Sequence, residues 1–268
     1  MLLFTGDYGF FDYKYNISDY NGKDFGGPAQ TVYLAASGLL LILALLLLRR
    51  VPRERVRRIV GLTGVFLTLF YLGKTAWESW YDIQREGSFN LGLLPLDTCS
   101  VIMPAALLAG FGRGRVRRAA VCWLETGGVV GGIGAMVKLN AFQYYPFWSF
   151  GAFYSMLWHL LMVCLGALCA VTDLEDQGRR TVRFGFLFHL PISALVILAD
   201  FCFGFDFMLY RDLGGVPFFE EVAQRLTEAG LRFLNPLLML VLYYLAFWVA
   251  YGITRGLRLV FRPRSRPA

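Results

Sequence analysis

The chain has 268 residues, 57% of them hydrophobic and 17% charged, with a mean hydropathy of +0.52 and a formal charge of +7. So little charge would not cover the surface of a soluble domain of this length, which excludes an ordinary water-soluble globule. The positive charge does not signal nucleic acid, because the arginines sit at the ends of apolar runs, where they orient helices and meet anionic head groups.

Residues 1–30 are polar, aromatic and glycine-containing, without the basic start and early apolar core of a cleaved signal peptide. They are expected to form an extracytoplasmic N-terminal segment. Apolar runs then predict spans at about 31–48, 59–80, 93–111, 119–138, 149–171, 184–204 and 233–254. The expected fold is all-α, a polytopic membrane bundle of about seven transmembrane helices occupying 31–254, with no room for a separate soluble domain. Residues 255–268 read as a basic cytoplasmic tail. Segments 49–58, 112–118, 172–183 and 255–268 carry six, four, three and five arginines. Segments 1–30, 81–92, 138–148 and 205–232 carry two, one, one and three Lys or Arg. That asymmetry places the N-terminus outside and the C-terminus in the cytoplasm. Short loops and many arginines fit a bacterial inner-membrane protein.

The fourth span contains Gly127, Gly128, Gly131 and Gly132, two small-xxx-small pairs that suit close helix packing or, alternatively, a narrow groove admitting an acyl chain. No Lys-Ser/Thr follows them, so they are no phosphate-binding loop. In the long loop 205–232, Phe218, Phe219, Val222 and Leu226 recur at helical spacing beside Glu220, Glu221 and Glu228. Both an amphipathic helix on the outer interface and an ordinary ordered loop fit that pattern. The tail interleaves arginines with Leu257, Leu259, Val260 and Phe261, which contact with an anionic inner leaflet explains, with partner binding as the alternative. All five cysteines (Cys99, Cys122, Cys164, Cys169 and Cys202) lie in apolar runs, and no CxxC or Cys/His metal spacing occurs. Neither disulfide, metal nor cofactor is expected.

An ionisable group inside a span costs several kcal/mol, so each needs a reason. The candidates are Lys74, Glu78, Asp97, Glu125, Lys138, His159, His189 and Asp200. Cys99 lies 12 residues from Phe111 and His159 lies 12 from Val171, each roughly 18 Å from a cytoplasmic end. They therefore share a layer, with Lys74, Asp97 and Asp200 nearby. Glu125 and His189 fall in the cytoplasmic half with separate partners. Lys74 and Glu78, four apart, form either a structural ion pair or a site where Lys74 holds a lipid phosphate. Pro95 suits a first helical turn, and Asp97 there would meet the positive helix end. Cys99 is either a small packing residue or a nucleophile. His159 is either a structural histidine or the base that takes the thiol proton, with Ser155 on its face and Asp97 or Asp200 to orient it.

Leu94-Pro95-Leu96-x-x-Cys99 at one span, the Gly-rich fourth span, the aromatic stretch from Phe142 to Phe153, and His159 further on resemble the YwaF / transmembrane protein 164 family. Weaker support comes from Phe205, Phe207 and Tyr210, and the resemblance covers roughly residues 60 to 250. It implies a seven-span helical protein and, from animal members, transfer of fatty acyl chains onto lysophospholipids. Carried over, Cys99 would be the acyl-accepting nucleophile and His159 the general base. Asp97-Thr98 departs from the family pattern, because an acid beside the thiol disfavours thiolate. The expected partners are a membrane phospholipid or lysophospholipid, for a transferase or a lipid-ester hydrolase. A transporter or channel using Lys74, His159 and Asp200, and a non-catalytic membrane scaffold, are the alternative readings.

Overall fold

In a computed structural model, which describes residues 9–14, 22, 24–138, 141–175, 177–213 and 217–261, each apolar run is helical and no strand occurs among the described residues. Helix α1 spans Pro28–Leu48, and its first position holds the proline whose missing N–H costs nothing there. Leu39, Leu43, Leu46 and Leu47 project from the protein, as lipid-facing side chains do. Helix α2, Arg53–Glu86, has 34 residues and ends at Gly87, whose φ of 70° is the left-handed stop that glycine adopts without strain.

The third apolar element differs from expectation. A 3₁₀ turn, Thr98–Val101, leads into α3, Ile102–Phe111, so the α-helix begins nine residues later than the run suggests. Pro95 is the cause: it drives the residue before it into extended backbone, and Leu94 sits at φ −65°, ψ 146°. Asp97 is therefore not inside a first turn. It flanks the 3₁₀ turn in extended conformation, and its side chain makes no capping bond. Together these 14 residues rise only about 21 Å, short of a bilayer core. Among the described residues six other helical segments, one of them Gly114–Tyr144, are long and apolar enough to cross a membrane.

Helix α4, Gly114–Trp123, passes through a π-helical turn, Leu124–Gly128, into α5, Val129–Val137. The short α6 is Ala141–Tyr144, and α7 is Phe150–Val171, capped by the Ser149 hydroxyl accepting from the Ala152 N–H at 3.2 Å. Helix α8, Arg180–Phe203, stops at left-handed Gly204. The amphipathic pattern in the long loop is helical, as α9, Pro217–Glu228. Helix α10 is Asn235–Phe261, ending seven residues beyond the predicted span. Arg258 explains the extension: it is buried, and its Nε donates to the Ala170 carbonyl and meets Asp173, both at 2.8 Å. Residues 262–268 of the basic tail lie outside the described residues.

Helix α7 is the hub, touching α1, α2, α5, the π-helical turn and α10. The core runs from Val60 and Leu67 on α2 through Ala105 and Ala109 on α3 to Trp123, Trp158, Leu165 and Phe247. A second, aromatic cluster closes the other end, where Tyr13, Tyr33, Phe142 and Tyr145 pack together. Here the N-terminal segment docks: Phe150 N–H donates to the Phe10 carbonyl at 2.7 Å, and Tyr13 stacks on Tyr81 at 5.2 Å. The arginine-rich loops meet at the opposite end, with Arg117 on Glu175 at 2.7 Å.

Helices α2 and α3 approach so closely that a Cβ on Gly110 would lie 2.2 Å from the Gly61 Cα. Gly110→Ala is expected to cost roughly 1–3 kcal/mol by forcing the two backbones apart. Gly73→Ala, at a position with open space around it, is expected to stay within about 0.5 kcal/mol. Thermal unfolding of both variants in detergent measures the difference.

Candidate functional site

One cavity of about 400 Å³ is bounded by α2, the irregular segment before α3, α6 and the N-terminal half of α7. Cys99, Asp97 and Lys74 line it, together with Ser155 and His159. The helical periodicity of α7 delivers two pairs to this wall. Ser155 and His159 are one turn apart, and so are Tyr154 and Trp158.

The geometry fixes the tautomer of His159. Its Nδ1 lies 2.7 Å from the Ser155 carbonyl oxygen, which can only accept, so Nδ1 carries the hydrogen. In the neutral ring Nε2 then keeps its lone pair. The Ser155 hydroxyl sits 3.4 Å from the same Nδ1. Ser155, rather than Asp97 or Asp200, therefore orients the ring. Behind it, Gly132 lets α5 come close, since a Cβ there would stand 3.1 Å from the His159 carbonyl and 2.7 Å from Val163.

The turn bearing Cys99 is held from two sides. The Trp158 indole N–H donates to the Cys99 carbonyl at 3.1 Å. One residue earlier, the Thr98 hydroxyl and the Tyr243 hydroxyl of α10 are 2.5 Å apart, and Tyr243 donates in turn to the Met208 carbonyl at 3.3 Å. Upstream, the Tyr71 hydroxyl donates to the Leu93 carbonyl at 2.5 Å. Lys74 is ion-paired with Glu78 one turn along α2, and its Nζ stands 5.5 Å from the centre of the Tyr154 ring. The structural ion pair and the cavity-lining position thus coexist in the same lysine. Burial, reinforced by the nearby Glu78 carboxylate, pushes the phenol of Tyr145 above its usual range, in the loop before α7.

The profile of the TMEM164 family matches residues 25–219. The chain belongs to the TMEM164 family. No curated protein and no solved structure matches it. With six membrane-length apolar helices, this TMEM164-family protein is an integral membrane protein. The matched stretch contains every residue that lines the cavity, whereas Tyr243 lies beyond it.

Two residues from the sequence reading stand elsewhere in this TMEM164-family protein. Asp200 is fully buried and does not line the cavity; its Oδ1 accepts from the Phe207 N–H at 2.9 Å, bracing the loop after α8. In that loop Met208, Leu209 and Leu213 all take positive φ, a strained state that such anchors must maintain. His189 sits in its own polar chain. The Trp123 indole donates to its Nδ1 at 3.4 Å, which leaves the hydrogen on Nε2, 3.4 Å from the Tyr210 hydroxyl. Tyr210 donates to Ser193 at 2.6 Å, and Ser193 donates back to the His189 carbonyl at 3.0 Å. Every donor runs one way round this circuit, so a neutral imidazole fits and a second ring proton would oppose the indole N–H.

Sequence reasoning missed Tyr71, Tyr154 and Trp158, which build the cavity wall. In a chain with 14 Tyr and 6 Trp, aromatic identity alone does not mark them. The one usable signal, for Tyr154 and Trp158, was their i, i+4 spacing alongside Ser155 and His159 on α7. Asp200→Ala is expected to cost about 1–3 kcal/mol by leaving the Phe207 N–H unmade, with faster protease cleavage within 204–213. Asp200→Asn keeps the Oδ1 acceptor and is expected to cleave near the wild-type rate; timed proteolysis of the three proteins checks this.

Proposed function

We propose that this protein is a membrane lipid acyltransferase that takes a fatty acyl group from a phospholipid ester onto Cys99 and passes it to a lysophospholipid. The observation that carries this reading is that Cys99 and His159 line the same cavity, with the ring's hydrogen committed to the Ser155 carbonyl and Nε2 left as the base. In the first half-reaction Nε2 takes the Sγ–H proton as sulfur attacks the ester carbonyl. The tetrahedral intermediate collapses, the C–O bond breaks, and the leaving alkoxide recovers the proton from Nε2. The acyl group then rests on Cys99 as a thioester. An acceptor hydroxyl gives its proton to Nε2 and attacks the thioester, restoring the thiol. Water in place of that acceptor makes the same site a lipid-ester hydrolase.

The cavity walls suit a lipid. Tyr71, Tyr154 and Trp158 offer apolar faces for the glycerol and upper acyl region. Lys74 adds positive potential for the phosphate, although its pairing with Glu78 tempers it. Asp97 also lines the cavity. Its carboxylate works against thiolate formation, so proton removal by His159 during attack matters more than a standing thiolate.

The test is intact-mass measurement of the purified full chain after incubation with phospholipid. An acyl increment on Cys99 is expected in wild type and absent in Cys99→Ser, and His159→Ala is expected to slow its formation about 10²–10⁴-fold. Unchanged lipid turnover in both Cys99→Ala and His159→Ala would overturn the proposal.

A further inference from the structure

Acyl transfer through a tetrahedral intermediate needs a hydrogen-bond donor where the carbonyl oxygen becomes an oxyanion. Several of the side-chain donors that line the cavity are already committed. The Tyr71 hydroxyl is committed to the Leu93 carbonyl, and the Trp158 indole to the Cys99 carbonyl. His159 Nδ1 is committed to the Ser155 carbonyl, and the Lys74 ammonium is paired with Glu78. The Ser100 hydroxyl lies against the Cys99 thiol itself.

Tyr154 is different. Its side chain is only 9% exposed and lines the cavity, yet its hydroxyl makes no hydrogen bond to another described residue. Its oxygen is not among the enclosed polar atoms left without a partner, so the hydroxyl opens onto the cavity and is free to donate there. The ring is also tightly held. It stacks on Trp158 with centroids 5.3 Å apart and planes at 28°, and meets Phe70 at 4.7 Å. Lys74 Nζ lies 5.5 Å from its centre. Trp158 is the residue whose indole grips the Cys99 carbonyl, so one stacked pair on α7 sets both the turn carrying the thiol and the waiting hydroxyl. The cavity's other buried phenol, Tyr145, has Tyr13 among its electrostatic neighbours, whereas Tyr154 has Cys99.

We infer that Tyr154 is a catalytic residue whose hydroxyl donates a hydrogen bond to the oxyanion formed when Cys99 attacks the ester. The inference rests on the acyl-transfer reading above. As the S–C bond forms, the carbonyl π pair moves onto oxygen, and the Tyr154 O–H meets that charge without giving up its proton. Collapse returns the pair to the carbonyl and expels the alkoxide, which His159 protonates. Tyr154 thus binds the transition state more strongly than the ground-state carbonyl, which is the condition for raising the rate.

The experiment compares two reactions of the same thiol in the purified full chain: thioester formation with phospholipid and alkylation by iodoacetamide. Alkylation passes through no oxyanion. Tyr154→Phe is expected to slow thioester formation about 10²–10³-fold while alkylation of Cys99 keeps its wild-type rate. Thioester formation at the wild-type rate in Tyr154→Phe would overturn the role of Tyr154 and leave the acyl-transfer reading standing. Equal slowing of both reactions would also overturn it, because the ring would then only shape the pocket. No thioester in the wild-type protein would remove the parent reading, and this one with it. 3-Fluorotyrosine at position 154 keeps the hydroxyl and sharpens it as a donor, so it is expected to form thioester at least as fast as wild type; slower formation counts against the role.

Discussion

The hydrogen bond from the Trp158 indole to the Cys99 carbonyl is the contact on which the site depends. Hydrocarbon offers no water to satisfy open backbone groups, so irregular chain at membrane depth survives only where protein partners or a cavity take over. The stretch from Gly87 to Cys99 is of this kind, and protein groups meet several of its carbonyls. Tyr71 takes Leu93, Trp158 takes Cys99, and local turns absorb Asn90, Leu91 and Leu94. The third element can be short because α2 and α7 supply what a full helix would otherwise supply from within. What the missing turns leave behind is the space that Cys99 and His159 share.

Two histidines of one chain show how surroundings decide a role. Both are held in hydrocarbon by hydrogen bonds that permit a neutral ring. For His159 the partner is an acceptor on Nδ1, and the unprotonated nitrogen is left beside a cavity. For His189 the partner is a donor on Nδ1, and the protonated nitrogen leads into a closed ring of hydroxyls. The first arrangement leaves a base available, while the second consumes both nitrogens in holding α4, α8 and the loop after α8 together.

Much of this was readable in the residues. Apolar runs located the helices, and counting turns from Phe111 and Val171 put Cys99 and His159 at one depth, as their common cavity requires. Depth along a helix follows from a fixed rise, so it survives translation into three dimensions. Azimuth does not, which is why Asp200, placed near the site by depth, faces a different neighbour. The start of α3 was misjudged because hydropathy is blind to Pro95 acting on Leu94. Aromatic walls went unrecognised since tyrosine and tryptophan fill bilayer-facing, interfacial and cavity positions alike.

The docked N-terminal strip has a practical meaning for anyone seeking a minimal version of this protein. Tyr13 is wholly enclosed, braced by Trp77 and Tyr81, and Phe11 accepts from the Trp77 indole. The family profile begins only at residue 25. A chain whose N-terminus is cut back to residue 25, or to the first span, would keep all its membrane helices and still lose part of the roof over its polar chamber. The smallest working unit is therefore larger than the bundle itself.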